Sequence, residues 1–111
     1  TSDLAPDLAA AAREVEGEIE FERRDGRFIL RIAGAPAADL QLWLRHPGDA
    51  RRDLHATPRA SGDGSYVATL GALGDGPWNL TLTGDDGAWR VTGRLVAGAN
   101  RATLQPAVRA R

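Results

Sequence analysis

His46 and His55 are the only histidines of the chain, and Asp49 and Asp53 lie between them. Imidazole and carboxylate are ligand types that zinc and copper(II) accept. The spacing follows no established ligand pattern, and there is no cysteine or methionine to favour copper. His46 and His55 are therefore named as metal candidates only, and we expect no bound metal and no cofactor. Ser61, Ser65, His46 and Asp53 supply the residue types of a hydrolase. No Gly-x-Ser-x-Gly elbow is present to expose a nucleophile, and nothing in the spacing orders the set. Asp63, Asp85 and Asp86 sit in glycine-containing turns. The Asp-x-Asp-x-Asp-Gly pattern with a closing Glu is absent, so turn formation accounts for them better than calcium does. Gly62-Asp63-Gly64 precedes no helix start, and the chain has no lysine, so it is not a phosphate loop. We expect no catalytic residue.

Recognition is the remaining chemistry. Trp78 and Trp89 fall on apolar strand faces and are expected in the core. Trp43 has the opposite phase from Leu42 and Leu44. It either lies under an N-terminal helix or stands exposed as an interaction anchor. Arg45, Arg51, Arg52 and Arg59 follow it, interspersed with Asp49 and Asp53, in a mixed-charge segment rather than a polybasic tract. Guanidinium groups pair bidentately with carboxylates, and tryptophan and arginine are common interface anchors. The interaction candidates are Trp43, Arg45, Arg51 and Arg52. The alternative is that the arginines pair locally with Asp49 and Asp53.

Period-two patterning supplies the elements that would position these groups. Glu14, Glu16, Glu18, Glu20 and Glu22 are all the glutamates, and Ile19 and Phe21 alternate with the last of them, as on a half-buried strand. Asp25-Gly26 signals a hairpin into Arg27–Ile32, where Phe28, Leu30 and Ile32 share a face. Leu40–Arg45, Ser65–Leu70, Trp78–Thr83 and Ala88–Leu95 read as strands. Leu54–Arg59 is a short strand that Pro58 confines to an edge or its end, and Ala102–Leu104 is a last one stopped by Pro106. The expected core holds Ile19, Phe21, Phe28, Leu30, Ile32, Leu42, Leu44, Tyr66, Trp78, Leu80, Leu82, Trp89 and Val91. Upstream, Leu4 to about Val15 favours helix, with Asp3 or Asp7 as its N-cap, Pro6 in the first turn and an apolar stripe of Leu4, Leu8, Ala11, Ala12 and Val15. Seven or eight short strands between turns predict an all-β antiparallel sandwich or barrel. We divide the chain into an N-terminal helix at 1–16, a β-sandwich at 17–106 and a frayed tail at 107–111.

Length and charge agree with this. At 111 residues the chain is one domain, since domains run to roughly 100–200 residues. Its 14 basic residues are all arginine and face 15 acidic ones, for a net charge of −1. A near-neutral domain has no field to attract nucleic acid, and none is expected as a partner. The absence of cysteine removes disulfides and thiolate chemistry. There is no apolar run near the ~20 residues of a transmembrane helix. A chain without methionine is expected to have lost a preceding signal peptide or membrane anchor.

An ordered set of landmarks resembles the periplasmic domain of the FixH/CcoH family. Gly34-Ala35-Pro36 leads into a strand that stops at Arg45-His46-Pro47, followed by Asp49-Ala50-Arg51-Arg52-Asp53. Gly64-Ser65-Tyr66, Gly76-Pro77-Trp78-Asn79-Leu80 and Trp89-Arg90-Val91 come next, in the family's order. His46 interrupts the family's Arg-Pro pair, and the aromatic residues the family carries just outside the membrane are missing from Thr1 to Val15. The resemblance implies an immunoglobulin-like β-sandwich on the periplasmic side of the bacterial inner membrane, attached only through a segment missing from this chain. It implies a non-enzymatic docking or assembly factor for a cbb-type cytochrome oxidase, with membrane oxidase subunits or other assembly factors as partners. The alternative is a periplasmic copper carrier of immunoglobulin-like fold.

Overall fold

The computed structural model describes residues 5–34 and 38–107. Its elements follow from alternation. In β1 (Glu16–Glu22) and β2 (Arg27–Ala33), Ile19, Phe21, Phe28 and Leu30 are buried and the residues between them face water. The two strands pair antiparallel, with Glu22 opposite Arg27, so Asp25-Gly26 ends a four-residue turn. Gly26 takes a φ of 71°, and any Cβ there would strike the backbone of Gly71. Only glycine meets both conditions.

The chain continues through β3 (Gln41–Arg45), a single 3-10 turn at Ala50–Arg52, β4 (Leu54–Ala56), β5 (Arg59–Ala60), β6 (Tyr66–Thr69), β7 (Trp78–Gly84), β8 (Trp89–Leu95) and β9 (Arg101–Leu104). These form two antiparallel sheets, of order β5-β6-β2-β1-β9 and β4-β3-β7-β8. Setting β9 aside, this is the immunoglobulin arrangement: D-E-B-A in one sheet and C′-C-F-G in the other. The fold is thus the expected all-β sandwich with a short N-terminal helix. β9 pairs with β1, and just beyond it Gln105 exchanges two backbone hydrogen bonds with Thr92 of β8, at 2.8 and 2.9 Å. One side of the sandwich is thereby tied across both sheets, which leaves fewer unpaired edge groups.

The core fills the space between the sheets. Trp78, Trp89, Phe28, Ile19, Leu42, Leu44, Leu80, Leu82 and Val91 are all buried, as their phase requires. Ile32 and Tyr66 are only partly buried, because each lies near an end of its strand. Leu40, Leu73, Leu95, Ala102 and Leu104 complete the core from loops and strand ends that pattern alone did not single out as core.

The helix α1 (Pro6–Ala12) differs from the expected one in its buried face. Ala5 occupies the N-cap without a side-chain cap, Asp7 lies in the first turn, and Asp3 and Leu4 lie outside the described residues. The buried residues are Ala9, Ala10 and Ala11, while Leu8 is 48% exposed and Ala12 faces solvent. Two ion pairs accompany this orientation. Arg90 of β8 donates to both Asp7 carboxylate oxygens, at 2.9 and 2.6 Å, and Arg13 donates to Asp85 at 2.9 Å. Residues three and four apart share a helix face, so Ala10 and Ala11 lie on the side where Asp7 meets β8; of the expected stripe, Ala11 and Val15 are buried and Leu8 and Ala12 are not. The expected tail at 107–111 falls outside the described residues from Val108 onward.

Candidate docking face

The outer face of the β4-β3-β7-β8 sheet is built by the residues that alternate with the core. β3 presents Gln41, Trp43 and Arg45; β4 presents His55; β7 presents Asn79, Thr81 and Thr83; β8 presents Arg90, Thr92 and Arg94. None of these outward positions carries a carboxylate. Their register sets them in rows. His55, Trp43, Thr81 and Thr92 lie across one line, and Arg45, Asn79 and Arg94 across the next but one.

Trp43 does not lie under α1, which packs on β8, two strands away. It is half-buried in the sheet face. The His55 ring stacks beside it, with centroids 5.1 Å apart and a 40° tilt, and the Arg45 guanidinium lies 5.7 Å from the indole centroid. His55 Nε2 donates to Gln41 Oε1 at 2.6 Å, and Thr57 donates to the same oxygen at 3.1 Å, which fixes the ring. The result is a preset aromatic platform flanked by a cation. A shallow groove runs from Trp43 past Gln41 and Thr83 to Asp39, Asp86 and Gly87. The face therefore has a basic end at Arg45 and Arg94 and an acidic rim at the opposite end.

The other two arginine candidates lie elsewhere and are engaged. Arg51 projects from the 3-10 turn with its side chain 91% exposed, and its guanidinium reaches back to Asp49 at 3.2 Å. Asp49 also caps the turn by accepting from the Arg51 backbone N–H. These Arg51 hydrogen bonds hold the Asp49 carboxyl below its ordinary value. Arg52 lies over the Trp78 indole, 5.3 Å from its centroid, and donates to His46 Nε2 at 2.9 Å and to the Asp75 carbonyl at 3.2 Å. It covers an end of the core. The local pairing weighed as an alternative thus occurs at Arg51, through Asp49, while Asp53 accepts instead from the His46 backbone N–H.

The histidines belong to separate clusters. His46 packs edge-on to Trp78. A neutral imidazole accepts at one nitrogen only, and N–H groups of Arg52 and Gly48 lie at Nε2 and Nδ1, so its single lone pair is already engaged. His55 is held against Trp43 and Gln41. Among the described residues no three potential ligands gather. Ser61 and Ser65 do not approach His46 as a hydrolase set; both hydroxyls and the Ser65 N–H donate to Asp63. These bonds hold the Asp63 carboxyl far below its ordinary range. The arrangement clips a turn.

Sequence reasoning missed Arg94, Asn79 and the pairing of His55 with Trp43. The signal for the first two was present: both alternate with buried residues in β7 and β8 just as Trp43 does in β3. The register that brings them level with Arg45 was not visible before the sheet order.

Among the described residues, no helix is long and apolar enough to cross a membrane. The family model described as FixH matches residues 2–96. The match takes in α1 and the first hairpin as well as the landmarks from Gly34 on, and it ends just before β9. No curated protein and no solved structure matches the chain.

Proposed function

The chain belongs to the FixH family, and from that premise we propose that it is a periplasmic, non-enzymatic docking module that helps assemble a cbb-type cytochrome oxidase. In this reading the domain is held at the bacterial inner membrane by a segment outside the chain. Oxidase subunits or other assembly factors are its partners.

The observation that carries the docking role is the Trp43 platform. Trp43 is a large aromatic side chain only partly covered on the outward face of its sheet, and tryptophan and arginine are the side chains most enriched among interface anchors. Here it is held in one orientation by His55 and flanked by Arg45. A preset anchor loses little conformational freedom on binding. Trp43 and Arg45 are the contact residues in this proposal. Arg51 lies at the exposed rim, and Arg52 supports the end of the core from which the Arg51 turn projects.

The test is genetic and biochemical. Deleting the gene should lower mature oxidase, and the wild-type gene should restore it. Trp43→Ala in the full-length protein should fold normally yet fail to co-purify with oxidase subunits. Wild-type levels of mature oxidase in the deletion strain would refute the assembly role. Unchanged co-purification of Trp43→Ala would move the docking surface elsewhere.

A further inference from the structure

The charge on the two outer faces differs in kind. On the β1 face, Glu18 and Glu22 stand opposite Arg31 and Arg27, and Glu20 pairs with Arg101 at 3.4 Å, so that surface is largely self-neutralised. On the Trp43 face, Arg45 and Arg94 have no carboxylate partner among the described residues. Nearby acids are occupied: Asp53 accepts from the His46 backbone N–H, and Asp49 holds Arg51.

The register makes these two cations a pair. Arg45 lies opposite Asn79, and Asn79 opposite Arg94, in one row across β3, β7 and β8. Arg94 donates to Asn79 Oδ1 at 3.4 Å, which leaves the Asn79 amide N–H groups pointing away to donate in turn. The row thus presents guanidinium, amide and guanidinium, all donors. Two strand spacings of about 4.8 Å separate its ends. An extended segment with carboxylates two residues apart, about 6.8 Å, can reach both ends with the flexible arginine side chains. Beside the row lies Trp43, against which an aliphatic stem or ring can pack.

We propose that this row, with Trp43 beside it, binds an acidic extended segment of a partner protein, two carboxylates on the face turned to the sheet engaging Arg45 and Arg94 while the flank of the segment rests on the indole. The proposal deepens the docking reading above and rests on it for the existence of a protein partner. It adds the partner's chemistry and places Asn79 and Arg94 in the contact. The acidic rim at Asp39 and Asp86 sets the direction, keeping the segment's carboxylates at the Arg45 end.

The experiment uses the isotope-labelled chain and a synthetic peptide alternating Glu and Thr, with a Lys–Thr peptide as the control. Amide and indole resonances of Arg45, Asn79, Arg94 and Trp43 should shift with the acidic peptide and stay still with the basic one. Affinity should fall steeply with salt. Arg45→Gln/Arg94→Gln, which leaves the circular dichroism unchanged, should weaken binding at least ~10-fold, and Arg51→Gln should not. Absence of binding, shifts confined to the β1 face, or binding to phosphatidylglycerol vesicles in place of the peptide would overturn the proposal. If peptide binding is absent but oxidase still depends on the gene, the acidic chemistry is wrong and the assembly role stands. If the peptide binds as described and oxidase is unaffected by deletion, the face is confirmed and the oxidase role fails.

Discussion

Arg52 lies 5.3 Å above the centre of the Trp78 indole, and the same guanidinium reaches His46 Nε2 at 2.9 Å. A residue whose type suits partner recognition is here spent on covering the domain's own core. Arg52→Ala removes a cation–π contact and two hydrogen bonds. It should cost about 1–2 kcal/mol in denaturant unfolding. Partner binding measured on the folded variant should be unchanged.

Trp43 and Trp89 should separate cleanly under mutation. Trp89 is fully buried, and Trp89→Ala should cost about 3–5 kcal/mol. Trp43→Ala should cost about 1–2 kcal/mol, since the ring lies on the outer face, only partly buried, and the loss includes its stacking on His55. Equilibrium unfolding of the two variants side by side checks the difference. A larger loss at Trp43 than at Trp89 would contradict the assignment of inner and outer faces.

Gly84 faces Trp89 across the β7–β8 hairpin, and a Cβ at residue 84 would strike the indole ring. Gly84→Ala should therefore displace the ring and destabilise the domain by about 1–3 kcal/mol. Near-ultraviolet circular dichroism and unfolding midpoints would register both effects.

Asp7 governs part of the acid stability. The Arg90 hydrogen bonds hold its carboxyl below the ordinary value of 3.8, against an opposing desolvation. A carboxyl depressed in the folded state adds stability above its unfolded value, and that stability is lost as pH falls through the folded value. Asp7→Asn should lower stability near neutral pH by about 1 kcal/mol, the pair being partly exposed. It should also flatten the decline below pH 3.8. An acid limb of unchanged slope in the variant would show that Asp49 and Asp63 carry that dependence alone.

The isolated domain should take up neither zinc nor copper(II) tightly, because His46 and His55 are committed to different neighbours. Calorimetric titration checks this. Stoichiometric submicromolar binding that disappears in His46→Ala/His55→Ala would instead favour a metal-carrier function.

Much of the sandwich was legible in one dimension. Alternation in Glu18–Glu22, Trp78–Thr83 and Trp89–Leu95 told inner residues from outer ones, because a strand's side chains point to opposite faces with a period of two. The same rule set Trp43 outward and Trp78 and Trp89 inward. The landmarks from Gly34-Ala35-Pro36 to Trp89-Arg90-Val91 carried the family resemblance. Helix phase was less legible. An alanine run is apolar on more than one side, so the expected stripe competed with the face that is buried, Ala9, Ala10 and Ala11, beside the pair of Asp7 with Arg90, 83 positions away.

Which residues of each strand could face a partner is readable along one segment, since phase is a local property of extended backbone. Which of them stand together was a matter of tertiary structure. Arg45, Asn79 and Arg94 are level only because β7 lies between β3 and β8 at one particular register. Arg52 left the candidate surface because its turn folds back over Trp78. Both outcomes depend on pairings between distant segments, and those are set by how the two apolar faces close on a common core rather than by any pattern within a strand.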